Sequence, residues 1–345
     1  MSKSKQIILD LSDNTDLSII KAKIKEALAH SIHDFILSLE VDSSNIFLDP
    51  KTSPITFLKI TDFKSVHQIS ANSEPELRSL FESSARICLD LSKNEWEIIP
   101  LENIIAWATN TTCKIYSRVH SLEKLNLHFQ ILEKGVDGVI IDEKALDYAE
   151  LDKVLLKLTT TLLSLTEVKV VEIKSVGSGD RCCLDTAVLL DDTEGMLIGN
   201  FASGFFLIRA ENVLTDQISP RPFRVNAGAV HCYLYTPVKT FYLSELKSGS
   251  EVFVINNKGR GRCVPLGRNK IEQRPMVQVT AVTAADKESI SIIVQLAETI
   301  RFGARTERGF ITVDQLKTGD KVLAYFPSGK ARHFGTEVNE FIQEK

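Results

Sequence analysis

Cys113-Lys-Ile-Tyr-Ser-Arg-Val119, then Ser121-Leu-Glu-Lys-Leu-Asn-Leu-His-Phe-Gln-Ile-Leu-Glu-Lys134, then Gly135, then Gly138-Val-Ile-Ile-Asp142 follow one another in the chain. The first run is β-rich and the second has helical periodicity. Gly135 is a helix stop. The last run is apolar and ends in an acid. This is a strand–helix–strand unit, and strands joined through a helix lie parallel. Parallel α/β folds place their chemistry at the carboxyl ends of the strands. Asp10, Asp90 and Asp142 all fall near such ends. Each can serve a site, and each can equally start the following loop, as Asp often does.

The same alternation extends towards the amino terminus. Gln6 to Leu11, Asp34 to Leu39, Phe57 to Ile60 and Arg86 to Leu91 are expected strands. Asp16 to His30 is an expected helix with Leu17, Ile20, Ile24, Ala27 and Leu28 on one face. Glu74 to Ser83, a helix opened by Pro100, and Ala145 to Leu165 complete the helical set. Residues 1–165 are therefore expected to form an α/β domain of βα repeats, as a barrel or as an open parallel sheet.

From Thr166 the helical period fades. Val168 to Lys174, Arg181 to Leu190, Gly195 to Asn200, Phe205 to Arg209, His231 to Tyr235, Glu251 to Ile255, Met276 to Val282 and Ser289 to Gln295 all have strand character. Residues 166–345 are expected to be a mostly β, barrel-like domain. Leu243-Ser-Glu-Leu-Lys-Ser-Gly249 before Glu251-Val-Phe-Val254 resembles Val313-Asp-Gln-Leu-Lys-Thr-Gly319 before Lys321-Val-Leu-Ala324. Two copies are too few for a solenoid. They are expected to be structural turns.

The 345 residues carry 41 Lys+Arg and 45 Asp+Glu, for a formal net charge of −4. Such a balance argues against a dedicated nucleic-acid binder, which presents a basic face. It leaves room for small anionic substrates. No apolar run reaches the roughly 18 residues of a membrane span, and Ile7-Ile8-Leu9-Asp10-Leu11 is too short for a signal-peptide core. The expected address is the cytoplasm, with no nucleic-acid or membrane partner. The sequence sets no oligomeric state. Six cysteines include no Cys-x-x-Cys pair, so they are expected as small buried residues in a reducing compartment.

No phosphate loop, zinc helix or nucleophile elbow occurs. Gly177-Ser-Gly-Asp-Arg181 starts like a dinucleotide fingerprint, but Cys182 stands where a third glycine belongs and a strand follows. Its glycines suit a tight turn that approaches an anion, and equally a hairpin turn with a surface ion pair. Arg221-Pro-Phe-Arg224-Val-Asn226-Ala-Gly228-Ala-Val-His231 is denser in chemistry. Arg224, Asn226 and Gly228 share a face in an extended chain. Arg offers a fork for a carboxylate, and His231 can move a proton near neutral pH. A buried polar knot between sheets is the alternative. Ser203-Gly204 between Phe201 and Phe205 permits close backbone approach or a bulge. Glu298 and Arg301 have the spacing of a helical ion pair, but would face opposite sides in a strand. His333 is a weaker candidate than His231.

Gly177-Ser-Gly-Asp-Arg-Cys-Cys-Leu-Asp-Thr186, Glu194-Gly-Met-Leu-Ile-Gly199, the Arg221–Gly228 run, Tyr242-Leu-Ser-Glu-Leu-Lys247, Lys270-Ile-Glu-Gln-Arg-Pro275, Ala297-Glu-Thr-Ile-Arg301 and Arg332-His-Phe-Gly335 stand in one order. With Trp96-Glu-Ile-Ile-Pro-Leu-Glu-Asn103 and Leu132-Glu-Lys-Gly-Val-Asp-Gly138 they make the chain similar to the archaeal-type 3-dehydroquinate synthase family, also called dehydroquinate synthase II. The first roughly 85 residues match loosely. Ser178, Cys182, Ala187 and Ser12 depart from the family pattern, the last standing where an Arg is usual.

The resemblance implies an enzyme that takes an amino-dideoxy-heptulosonate and NAD. Hydride leaves the amine-bearing carbon, ammonia is released and the ring closes to 3-dehydroquinate, for aromatic amino-acid synthesis. A sister activity makes 3-amino-4-hydroxybenzoate without net NAD oxidation and with a divalent metal. A non-catalytic binding relative is the other reading. For the enzyme, His231 is the expected base, with Asp180 or Asp185 exchanging a proton or holding a metal. Arg181, Arg221 and Arg224 are expected on the substrate's acid, with Asn226 and Gly228 at the developing oxyanion. No residue is assigned to NAD.

Overall fold

The computed structural model describes residues 5–46, 55–66, 74–92, 97–132, 134–158, 161–214, 219–284, 288–327, 331–333 and 336–338. The chain divides into two compact units, Met1–Leu158 and Thr159–Lys345.

In the first unit the elements run β1 (Gln6–Leu11), α1 (Leu17–Ala29), β2 (Asp34–Leu37), β3 (Thr56–Lys59), β4 (Lys64–Val66), α2 (Glu74–Ser83) and β5 (Arg86–Leu89). They continue as α3 (Ile98–Trp107), β6 (Lys114–Val119), α4 (Leu122–Gln130), β7 (Gly138–Asp142) and α5 (Tyr148–Leu158). All strand pairs are parallel, in the order β3-β2-β1-β7-β6-β5-β4. That order follows the chain around a ring in which β7 closes onto β1. Among the described residues β3 and β4 do not pair, so the ring is open there. Of the two expected arrangements, the barrel-like one is found.

Side chains alternate between the two faces of each strand. Leu9, Leu37, Leu89, Val119 and Ile141 pack outward with helix residues such as Ile20, Ile104 and Leu125. Ile8, Ile36, Cys88, Tyr116 and Ile140 pack against one another as a separate inner cluster. Asp10, Asp90, Arg118 and Asp142 each lie two residues beyond a member of that cluster, so they continue the inner rows at the carboxyl ends.

Helix α1 is capped by Asp16, which accepts from the Ser18 amide at 2.7 Å. Helix α4 is capped by Ser121 and ends at Gln130, earlier than the expected Lys134. The connection turns instead through Leu132 and Gly135, with φ of +52° and +57°.

The second unit holds β8 (Thr161–Leu162), β9 (Thr166–Thr186), β10 (Glu194–Phe201), β11 (Gly204–Arg209), β12 (Arg224–Ala229), β13 (Tyr233–Tyr235) and β14 (Thr240–Tyr242). Then come β15 (Glu251–Asn256), β16 (Arg260–Thr283), β17 (Ser289–Gln295), β18 (Arg301–Gly303), β19 (Phe310–Thr312) and β20 (Lys321–Tyr325). These thirteen form one sheet system. Its spine is the antiparallel pairing of β9 with β16, from Val168 against Thr283 to Thr186 against Leu266. Alternate residues such as Cys182, Leu184, Val225, Ala227, Val279 and Ile292 share one buried core. β21 (Ala331–His333) and β22 (Thr336–Val338) pair only with each other. The side chain of His333 lies outside the described residues.

Two expectations about elements are corrected. The helix expected over Ala145 to Leu165 stops at Leu158, and β8 pairs instead with the start of β16, Leu162 against Arg260. Gly177-Ser-Gly-Asp-Arg181 is not a turn. It lies inside β9, with Gly177 against Met276 and Gly179 against Arg274. Gly177 takes φ +87° where the register shifts between Met276 and Val277, so its backbone freedom forms a bulge. The space at Gly204 is taken by a side chain, since a Cβ there would lie 2.2 Å from Ile290 Cγ2, and the close backbone approach is made at Gly199 instead. A Cβ on facing Gly199 would lie 2.3 Å from the Gly204 carbonyl oxygen. The repeated turns are equivalent: Gly249 and Gly319 have φ of +82° and +99°. In each copy a side chain three residues on accepts from the lysine amide, Ser250 from Lys247 at 3.0 Å and Asp320 from Lys317 at 2.8 Å.

A Cβ on Gly135 would sit 2.1 Å from the Phe129 carbonyl oxygen. Gly135→Ala should therefore lower stability by about 1–3 kcal/mol, read as a lower urea midpoint. An unchanged midpoint would show that the α4–β7 connection relaxes freely.

Candidate active site

β12, β9 and β16 lie side by side in the second unit. The register sets Arg224 beside Asp185 and Asn226 beside Cys183 across the β12–β9 pair. It sets Asp185 beside Arg268, Cys183 beside Lys270 and Arg181 beside Glu272 across the β9–β16 pair. Intervening Cys182, Leu184, Val225 and Ala227 go to the core, so these polar residues share the other face. A cavity of about 370 Å³ opens on it, completed by Glu211, Arg221, Arg274, Gln295, Glu298 and Thr299.

Charge on this face is organised around two carboxylates. Asp185 accepts a fork from Arg224, with Nε at 2.6 Å and Nη2 at 2.8 Å, and a further bond from Arg268 Nε at 2.9 Å. Burial pushes the Asp185 carboxyl up, but the two guanidinium groups outweigh it and hold it below its usual value. Glu272 is shared by Arg181 at 3.0 Å, Lys270 at 3.0 Å and Arg274 at 2.9 Å. One carboxylate facing three cations leaves the cavity positive.

Two buried atoms here have no partner among the described residues: Arg181 Nε, a donor, and Asn226 Oδ1, an acceptor. Arg181 is 5% exposed and Asn226 3%. The Asn226 amide nitrogen is already committed, donating to Gln295 Oε1 at 3.1 Å and Thr299 Oγ1 at 3.2 Å. Buried polar groups normally find partners, so these two atoms still have hydrogen-bonding capacity that a ligand could take up.

Glu211 is the buried acid of the cavity. Burial raises its carboxyl above the ordinary value despite Arg221, whose Nη1 lies 3.3 Å away, and Arg224. Cys183 accepts a bond from Arg181. Burial pushes its thiol up to about 11, so it is a neutral thiol near pH 7.

The expected residues divide. Arg181, Arg221, Arg224 and Asn226 line the cavity, and Asp185 holds Arg224 from beside it. Asp180 is exposed and is not among the lining residues. His231 sits exposed in the turn after β12 and is not among them either. Gly228 leaves the Arg224–Asn226 face because the register with β9 shifts between Asn226 and Gly228. A Cβ there would approach the Ile293 carbonyl oxygen at 2.9 Å and Cys232 Sγ at 3.4 Å. Glu298 lines the cavity, while Arg301 is buried and donates to the Ala210 and Val213 carbonyls. Glu211, Lys270, Glu272, Arg274, Gln295 and Thr299 were not singled out for chemistry from sequence. The alternation of Lys270, Glu272 and Arg274 along one strand is the signal that finds half of them.

A second cavity, of about 850 Å³, lies at the carboxyl ends of the strands in the first unit. Arg118 bridges Asp10 at 2.7 Å and Asp142 at 2.5 Å. The other oxygen of Asp142 meets His120 Nδ1 at 2.8 Å.

Among the described residues neither cavity shows the glycine-opened strand-to-helix turn that binds a dinucleotide pyrophosphate in other α/β folds. The first unit contains only Gly135 and Gly138, both at the opposite end of β7 from the cavity, so no glycine opens a strand-to-helix turn there. The cations of the smaller cavity are engaged by Glu272, Asp185 and Glu211. Among the described residues no three His, Cys, Asp or Glu side chains group to hold a metal ion. No helix among them is long and apolar enough to cross a membrane.

Comparison with known proteins gives the family. Residues 4–155 match the 3-dehydroquinate synthase II N-terminal domain and residues 167–345 match its C-terminal domain. A 3-dehydroquinate synthase from Korarchaeum cryptofilum is 40% identical over 355 aligned residues, covering 99% of this chain and 100% of that protein. One from Methanosphaera stadtmanae is 38% identical, covering 93% and 96% respectively. One from Nitrosopumilus maritimus is 45% identical, covering 73% and 70%. With both domain families matched in order and full-length relatives at this identity, the chain belongs to the 3-dehydroquinate synthase II family of enzymes.

Proposed function

We propose that this enzyme converts 2-amino-3,7-dideoxy-D-threo-hept-6-ulosonate to 3-dehydroquinate, with NAD as the two-electron acceptor, and that the cavity of the second unit holds the substrate. The observation that carries the proposal is the pair of buried, unpartnered atoms in a positive cavity. Arg181 Nε can donate to a carboxylate, and Asn226 Oδ1 can accept from an amine. Together they complement the amino-acid end of this substrate. Arg224 is committed to Asp185 through Nε and Nη2, which leaves Nη1 for the same carboxylate. Lys270 and Arg274 add positive charge around it. The NAD assignment rests on the electron balance of the reaction and on the family; no residue is assigned to hold it.

Oxidation at the amine-bearing carbon requires the neutral amine. Glu211 takes the ammonium proton in this proposal: its carboxyl is buried, and burial has already raised its proton affinity. It replaces His231 as the proposed base, because His231 is not among the cavity-lining residues. Hydrolysis of the imine releases ammonia and leaves a 2-keto acid. Its neighbouring CH2 loses a proton and attacks the distant ketone, closing the ring. Holding the linear chain folded in a cavity of about 370 Å³ supplies part of the rate.

Purified protein supplied with the amino-heptulosonate and NAD should release NADH, ammonia and 3-dehydroquinate. Aminohydroxybenzoate from its linear C7 amino-keto precursor without NADH would select the sister reaction, and no product from either substrate would overturn both. Glu211→Gln should lower kcat by about 10²–10⁴-fold. Arg224→Lys should raise KM by about tenfold or more, since a lysine cannot reproduce the fork.

Asp185 is a positioning residue that aims Arg224. Asp185→Asn should raise KM with a smaller change in kcat. Its depressed carboxyl stabilises the fold above the ordinary Asp value of about 3.9, and that contribution disappears as pH falls through the lower folded value. Asp185→Asn should therefore cost about 3–5 kcal/mol near pH 7 and much less in strong acid. Equal losses at both pH values would refute the charge-assisted role.

A further inference from the structure

We propose that Arg301 is a positioning residue for Glu211: its guanidinium clamps the main chain on either side of that acid and so sets where the carboxyl sits in the second unit's cavity. This rests on the reading of Glu211 as the base.

Three observations carry it. The first is how the chain is held at Glu211. β11 pairs with β18 at Ile208 and Phe302, and it ends at Arg209. Glu211 lies just beyond the strand. Its amide donates to the Arg224 carbonyl at 2.8 Å, and its carbonyl accepts from the Arg221 amide at 2.6 Å. The carbonyls to either side accept from a single side chain. Arg301 Nη1 donates to the Ala210 carbonyl at 3.2 Å and Nη2 to the Val213 carbonyl at 3.0 Å. A planar guanidinium bonded through two nitrogens fixes both carbonyls relative to each other. Where strand pairing stops, this side chain takes over the attachment of the segment to β18.

The second is the cost of placing an arginine here. Arg301 and Arg209 are both 3% exposed. The antiparallel pairing of Ile208 with Phe302 sets them opposite each other, and like charges so placed on a sheet are destabilising. Among the described residues neither makes an ion pair. Their guanidinium carbons lie instead 5.3 Å (Arg209) and 5.2 Å (Arg301) from the Phe310 ring centre. A hydrophobic residue at 301 would avoid the buried charge. It would also leave the two carbonyls around Glu211 without those bonds, and they are what the arginine supplies.

The third is charge. The Glu211 carboxyl is faced by Arg221 and Arg224 from the start of β12, by Arg301 from β18 and by the Cys183 thiol from β9. Burial raises its proton affinity, and the three cations oppose that. Among the described residues the ion pair of Glu211 is made with Arg221 and not with Arg301. The charge of Arg301 therefore reaches the carboxyl at longer range, while its hydrogen bonds act on the main chain, and the two effects can be separated by substitution. The clamp also gives a role to the end of Ala297-Glu-Thr-Ile-Arg301, in which Thr299 already accepts from the Asn226 amide at 3.2 Å.

Steady-state kinetics of the full chain with the amino-heptulosonate and NAD, across pH, test this on Arg301→Lys and Arg301→Gln. Lysine keeps the charge but has no rigid fork to bond both carbonyls. It should lower kcat by about 10²-fold with little change in KM, and leave the acidic limb of the kcat/KM profile in place. Glutamine removes the charge as well. Glu211 then holds its proton more tightly, so the acidic limb should also move to higher pH. An Arg301 that served stability alone would lower the urea midpoint of both variants but leave kcat per folded molecule and the limb unchanged, and that result would overturn the proposal. If neither variant folds, Phe310→Leu decides. It removes the half-buried ring beside the Arg301 guanidinium, so kcat should fall by about tenfold, and a wild-type kcat there would overturn the clamp. Glu211→Gln separates the clamp from the reading beneath it. Lost turnover in Glu211→Gln beside wild-type kcat in Arg301→Lys overturns the clamp alone. Wild-type turnover in Glu211→Gln, or no turnover by the wild-type protein, overturns both.

Discussion

A side chain in a strand must point to one face or the other, and its neighbours decide which face is dry. That constraint builds both cavities. In the first unit Ile8, Tyr116 and Ile140 choose the inside of the ring, so Asp10, Arg118 and Asp142, each two residues on, are carried to the inside of the mouth. In the second unit Cys182 and Leu184 choose the core, so Arg181, Cys183 and Asp185 are carried to the cavity face. Charged groups at these places would be costly in isolation. They are tolerated because each strand offers its charge to the opposite charge of the strand beside it.

The electrostatics of the second unit follow from that pairing. Asp185 satisfies two arginines and Glu272 three cations, so the cavity holds more positive charge than its acids neutralise. Rigidity is gained along with charge. Arg224 is fixed by two hydrogen bonds to one carboxylate, and a held guanidinium loses less entropy when it binds an anion. Glu211 is the contrasting case. It has one cation at 3.3 Å and is buried, so desolvation wins and its proton affinity rises. Two acids beside one cavity thus differ in protonation behaviour through the number of cations each can reach.

Much of the architecture was legible because it rests on periodicity. The strand–helix alternation from Gln6 to Asp142 and the loss of helical period after Thr166 both appear in the structure. The closing of β7 onto β1 was not legible, since a parallel strand pattern is the same in an open sheet and in a ring. The helix expected through Leu165 overran because Thr161 and Leu162 are recruited by β16, a contact a hundred residues away. For the site, Arg181, Arg221, Arg224 and Asn226 were found from their clustering in sequence. Asp180 was grouped with Asp185 although they stand five positions apart on one strand, and an odd offset puts two residues on opposite faces. Lys270 and Glu272 arrive from β16 by register, and Glu211 from the segment after β11 through its bridge to Arg221, so only the folded chain brings them in.

Where parity fails, a bulge is responsible, and the two bulges near the cavity act differently. The shift between Asn226 and Gly228 ends the polar row on β12. Without it the residue at 228 would sit beside Arg224 and Asn226, over the cavity, and the backbone would not reach the Ile293 carbonyl. Gly228, with φ of +153° and a carbonyl within 2.9 Å of a would-be Cβ, is the residue that permits the shift. The bulge at Gly177 lies further along β9, where a would-be Cβ meets nothing within 4 Å. It is needed for backbone conformation alone. The glycines that look most like a phosphate loop in sequence are therefore strand punctuation, and the glycine that ends the polar row of the cavity is Gly228, which was expected at the oxyanion. A glycine's role is set by what its missing Cβ would strike, and that is a property of the neighbouring strand.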